Sequence, residues 1–162
     1  MTPEKAELLG TKIKERLLDA NKHLTALIHN AGKVGGDFDR GAFEQTWNAA
    51  PDSDERALAY AIEAACMDLV NGLVQAGQDV CTLNGWTNTT GRDLTKPEVL
   101  RQLKENGVIG ETLRKRFGDI CEFRDTAQHD YIGVTAQRLH EHVKATLETG
   151  PDVLRALSAT VS

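Results

Sequence analysis

Arg124-Asp125-Thr126-Ala127-Gln128-His129-Asp130-Tyr131 closes a stretch in which Leu113, Phe117, Ile120 and Phe123 recur at three- and four-residue steps. That spacing predicts an amphipathic helix from about Ile109 to about Gln128 or beyond. A Gly133-Val134-Thr135 break follows, and then a further helix over about 135–148 with Leu139, Val143 and Leu147 turned inward. Gly150-Pro151 is expected to end it, leaving Asp152 to Val161 as a last short helix. The closing octet is unlike its plain helical surroundings. It sets a permanent cation, a titratable imidazole and a phenol at the spacing R-x4-H-x-Y.

Working toward the N-terminus, Thr95-Lys96-Pro97-Glu98 has capping-box spacing and opens a short helix through Glu105, which Asn106-Gly107 stops. Residues 77–95 read as a polar loop. Before it, Asp52-Ser53-Asp54-Glu55 starts a long helix, with acidic residues suited to its positive end. Leu58, Ile62, Ala65, Leu69 and Leu73 form one stripe on that helix, and Tyr60, Met67, Val70 and Val74 a second. So wide an apolar surface predicts core on one side and a second protomer on the other. Asn30 to Pro51 is a long connection with room for a short helix, and Phe38, Phe43 and Trp47 suggest that it docks on the body or on a partner. Residues 4–29 carry Leu9, Ile13, Leu17, Ala20, Leu24, Leu27 and Ile28 at helical steps. The expectation is one all-α domain over 1–162, an up-and-down bundle of four long helices plus one or two short ones.

Composition narrows the function classes. Aromatic residues make up only 5% of the chain, which favours helix over strand. The net charge is −5, so general nucleic-acid affinity through a basic surface is excluded. Cys66, Cys81 and Cys121 have no paired spacing and read as reduced core thiols, neither disulfides nor zinc ligands. No apolar signal region and no run of membrane-spanning length is read, so a cytoplasmic protein is expected.

Helix geometry constrains what the closing octet can do. At the α-helical step Arg124 and Tyr131 fall within about 20° of one another, whereas His129 lies roughly 140° from Arg124. Asp125 precedes His129 by four residues and shares its stripe, where it could accept an imidazole proton. Arg124 and His129 therefore do not meet on one straight helix. Either the helix breaks before His129, or the two meet across a symmetric dimer.

The spacing R-x4-H-x-Y, with Leu103-Lys104-Glu105-Asn106-Gly107-Val108-Ile109 and the apolar stripe ahead of it, resembles the HEPN superfamily. Over about 97–147 the chain resembles HepT-like toxins. The resemblance implies a HEPN-type bundle and a homodimer whose motif helices face each other across the twofold axis. It also implies a metal-independent endoribonuclease that uses no cofactor. Arg124 and His129 would be catalytic, with Asp125 and Gln128 supporting and orienting them. The family's usual Asn after the Arg is Asp125 here, which keeps an acceptor and adds negative charge. The partner implied is a nucleotidyltransferase antitoxin of the MNT type, with Tyr131 as the hydroxyl that receives nucleotides or as a substrate contact.

Plainer alternatives stand beside these readings. Arg124 could be an exposed arginine paired with Asp125, Gln128 or Glu122. Arg114 and Arg116 form a candidate positive rim for RNA or simple surface charge. His140 and His142 lie about 160° apart on their helix, so shared metal ligation is disfavoured and both are expected to be solvated. Two other function classes remain: a non-catalytic HEPN-fold module binding nucleotide or protein, and a helical adaptor with an accidental motif.

Overall fold

The computed structural model describes residues 1–88, 90–129 and 134–162. Seven helices are found among them: α1 (Pro3–Gly32), α2 (Gly35–Phe38), α3 (Arg40–Trp47), α4 (Asp54–Leu83), α5 (Lys96–Glu105), α6 (Glu111–His129) and α7 (Ala136–Ala159). No strand occurs among the described residues, and the protein is an all-α bundle. The ends follow from the residues at them. Thr2, Ser53 and Thr135 cap α1, α4 and α7 by accepting from the amides of Lys5, Arg56 and Arg138. Glu98 accepts from the Thr95 amide at 2.7 Å, the reciprocal arm of the capping box on α5. Gly107 stops α5 in the left-handed region at φ 72°, where a side chain would be strained.

Four long helices alternate in direction. Arg16 of α1 reaches Asp79 at 2.6 Å, and Ala20 lies against Gly72, so α1 and α4 run antiparallel at close approach. Arg116 pairs with Glu148 while Phe123 stacks on His142, which makes α6 and α7 antiparallel as well. Leu69 meets Gly150, placing α7 alongside α4. α4 packs on α1, α3, α5, α6 and α7. Ile62, Leu69, Val70 and Leu73 on it have no exposed surface.

The second apolar stripe of α4 is buried at Val70 and Val74, half-buried at Met67 and exposed at Tyr60. Three expectations are corrected. α4 continues to Leu83 where a loop from residue 77 was expected. Val80 and Cys81 are buried, and α5 packs so closely that a Cβ at Gly77 would stand 3.2 Å from Val99 and Leu103. By length and composition alone α4 could cross a membrane, its apolar window having a hydropathy of 1.4 over 18 residues, so the reading that no run approaches such a length does not hold. Here those residues form the core of the bundle. Finally, α7 runs through Pro151 without ending at Gly150. An interior proline costs about 3 kcal/mol, but Thr149, Gly150, Val153 and Leu157 are all buried on this segment and hold it in place.

The connection after α1 docks on the body. Phe38 and Phe43 are buried, and the Phe38 carbonyl meets His140 Nε2 at 2.7 Å. Asp37 and Phe38 adopt positive φ there, a strain held by that bond and by the tilted contact of the Phe38 and His140 rings at 4.8 Å.

His140 and His142 are therefore not solvated, being 5% and 4% exposed. They face apart as expected, but α7 is covered on both sides. His142 stacks on Phe123 of α6 at 4.1 Å, and burial alone lowers its pKa to about 4. With the native pKa below the ordinary 6.5, the unfolded chain binds the extra proton in between. Stability is then full above pH 6.5 and lost as pH falls toward 4. In urea unfolding, wild type is predicted to lose on the order of 2–3 kcal/mol across that window. His142→Phe should lose markedly less.

Candidate functional site

α6 owes its orientation to the stripe Phe117, Ile120, Cys121, Arg124 and Ala127, all buried. Four of these five are apolar or weakly polar. The fifth carries a permanent charge, and its side chain is only 11% exposed. Arg124 is thus not the exposed surface arginine of the plainer alternative, although it does pair with Asp125. A guanidinium at a core-facing position is unfavourable unless its N–H groups are satisfied. Here the stem lies along the core and the head is met at the surface by the Asp125 carboxylate.

The pairing converges on a single atom. Arg124 Nε and Nη2 donate to Asp125 Oδ1 at 3.1 and 2.5 Å, and Lys96 Nζ donates to the same oxygen. Two cations from different helices therefore share one carboxylate oxygen, and the trio keeps a net positive charge. Burial raises the Asp125 pKa, but the hydrogen bonds and charges of Lys96 and Arg124 outweigh it and hold the carboxyl below the usual carboxylate range. Asp125 is accordingly ionised at neutral pH and pins both cations.

Lys96 gets there through the hairpin of α5 and α6. The helices run antiparallel about the Asn106-Gly107 turn, with Lys104 near Glu111, Leu100 near Gly118 and Lys96 against Asp125. Between them lies a cleft of about 460 Å³. Lys96, Asp125 and Thr126 stand at one end, Arg114 and Lys115 at the other, and Leu100, Gly118 and Cys121 line the middle. The loop before α5 is tied to that helix by Asn88 to Glu98 at 3.4 Å and by Gln102 to the Thr87 carbonyl at 3.4 Å. Sequence reading missed Lys96. No local signal marked it: counting outward from the Asn106-Gly107 turn along two antiparallel helices sets residue 96 near residue 117, and only the folded hairpin brings it to Asp125.

The remaining expected residues divide. Arg114 lines the cleft but is held by Glu111 in two hydrogen bonds of 2.9 and 2.5 Å. That pair and the nearby Lys104 lower the Glu111 pKa to about 2. Arg116 does not join the rim, because it points toward Glu148 on α7. Gln128 and His129 end α6, and their side chains lie outside the described residues, as does all of Tyr131. The expected contact of Asp125 with His129 lies outside the described side chains; Asp125 Oδ1 accepts from Arg124 and Lys96. The three thiols are buried and free, with burial raising the pKa of Cys66 and Cys121 to about 12 and that of Cys81 to about 11. At neutral pH they are protonated and unsuited to nucleophilic or ligand roles. Among the described residues no three His, Cys, Asp or Glu side chains group as a metal site. The chain matches no protein-family model, no curated protein and no solved structure.

The placement of Arg124 separates its stem from its charge. Arg124→Met keeps an unbranched stem on the core stripe and removes the guanidinium, leaving Asp125 with Lys96. Urea denaturation should find it within about 1 kcal/mol of wild type. Arg124→Ala should lose about 2 kcal/mol more, through the cavity left between α6 and its neighbours.

Proposed function

We propose that this chain is a HEPN-type, HepT-like metal-independent endoribonuclease acting as a cytoplasmic toxin. The observation that carries the reading is the burial of Arg124 on the core-facing stripe of α6, with its guanidinium led out beside a cleft. A surface charge needs no such position. A cation whose direction must be fixed does.

In the reaction a ribose 2′-hydroxyl attacks its neighbouring phosphate. His129 takes the hydroxyl proton, the O2′–P bond forms and the P–O5′ bond breaks. The departing O5′ gains a proton, giving a 2′,3′-cyclic phosphate and a 5′-hydroxyl. Arg124 holds the phosphate oxygens and stabilises the charge that develops on them. The nucleophile belongs to the substrate, so this chemistry requires no metal-bound water. His129 and Arg124 diverge on one helix, so the working site is composite, formed where α6 of one protomer faces α6 of a second. A nucleotidyltransferase antitoxin of the MNT type neutralises it, and Tyr131 receives the nucleotides that block it.

One observation favours a second reading, a non-catalytic HEPN-fold module that binds nucleotide or protein through the same cleft. Asp125 already neutralises Arg124 within the chain, as a binding site without turnover tolerates.

Complementation between two inactive variants tests the proposal. Wild type should cleave RNA in EDTA to cyclic-phosphate ends. Arg124→Ala and His129→Ala should each fall by at least about 100-fold. Mixed and allowed to exchange protomers, the two should recover part of the activity, because each mixed dimer holds one intact Arg–His pair. Nucleotide binding without cleavage would favour the second reading. A monomeric protein, or mixed dimers with no recovery, would remove the composite site.

A further inference from the structure

The cleft between α5 and α6 has a chemistry that the ribonuclease reading does not by itself require. Its volume of about 460 Å³ lies in the range of about 300–1,000 Å³ that holds small organic ligands. Its middle is apolar, formed by Pro97, Leu100, Gly118 and Cys121. Gly118 is what opens it, because a side chain there would fill the space beside Leu100, whose Cδ2 stands 3.5 Å from an added Cβ. One end carries Lys96, whose ammonium shares Asp125 Oδ1 with Arg124. An apolar floor beside Gly118 that runs into the Lys96 ammonium suits a ligand with a poorly hydrated ring and an anionic group next to it.

We propose that this cleft seats one nucleotide of the RNA substrate, with its base on the Leu100–Gly118 floor and its phosphate on Lys96. The inference rests on the reading of Arg124 as the phosphate cation of a ribonuclease, and gives that site a specificity pocket. Asp125 couples the two parts. Its Oδ1 holds Lys96 and Arg124 side by side until phosphates displace it, one at the scissile bond and one at the seated nucleotide. Lys96 contributes a compact charge at the helix start, and the apolar floor adds the base selectivity that phosphate contacts lack. The charges on this rim nearly cancel, Lys96, Arg114 and Lys115 facing Asp119, Glu122 and Asp125. Affinity is therefore expected to come from the seated base as much as from salt-sensitive attraction.

Titration calorimetry on the full chain, with a nucleoside 3′-monophosphate and with inorganic phosphate as separate probes, tests this. The nucleotide should bind at least about tenfold more tightly than phosphate. Lys96→Ala, at a half-exposed position, should weaken both by about tenfold. Gly118→Leu fills the floor and should abolish the preference for nucleotide while leaving phosphate binding at its wild-type level. Gly118→Ala and circular dichroism control for the fold of α6. Equal affinity for the two probes in wild type, or indifference to both Lys96→Ala and Gly118→Leu, would overturn the proposal. The outcome is separable from that of the ribonuclease reading. Nucleotide binding that depends on Lys96 and Gly118 in a protein that never cuts RNA would keep the cleft and remove the enzyme. Cleavage that needs Arg124 and His129 but ignores both cleft variants would keep the enzyme and remove the cleft.

Discussion

Everything in this fold is arranged around the burial of α4 from more than one side. A helix with apolar stripes on two faces cannot sit at the edge of a bundle without leaving one of them in water. α1 covers one face, close enough for Ala20 to touch Gly72, and α5 and α7 cover others, with Gly77 and Gly150 allowing their approach. The consequence reaches the site. α5 is pressed on α4 through Val99 and Leu103, and α6 returns along α5 in a register that brings Lys96 to Asp125. Deleting apolar bulk from α4 would therefore loosen the site as well as the core.

The second constraint is electrostatic. An arginine placed on the stripe that orients α6 must have its head satisfied at the surface, and Asp125 does this while also taking Lys96. The same carboxylate that makes the arrangement stable also restrains the two cations. On the ribonuclease reading proposed above, an incoming phosphate has to compete with it, which sets function against folding at one oxygen atom. Phe123, next to Arg124, adds a mechanical element, since its stack on the neutral ring of His142 fixes the end of α6 against α7.

Much of this was legible in the residues. The four long helices, the capping box at Thr95 and the stop at Gly107 follow from local rules, and local rules decided them. What was not legible depended on neighbours. Pro151 reads as a terminator because the cost of an interior proline is local, while the burial of Val153 and Leu157 that outweighs it is not. His140 and His142 read as surface residues because one covered face is the usual state of an outer helix. α7 is covered on two, by the Phe38 segment and by Phe123. Within the site, Arg124 and Asp125 were visible as chemistry and Arg114 as a neighbour, but Lys96 was hidden by being on another helix. Arg116 was misplaced for a matching reason: two residues on from Arg114 is the other side of α6.

The account turns on the claim that Arg124 is a phosphate cation restrained by Asp125. Its most direct test is the rate of RNA cleavage in EDTA by Asp125→Asn beside Arg124→Met, both checked for native stability. Removing the restraining charge should raise the rate about threefold or more at low salt, while removing the guanidinium should lower it by at least about 100-fold. A slower Asp125→Asn, or an Arg124→Met that cuts as fast as wild type, would contradict the account.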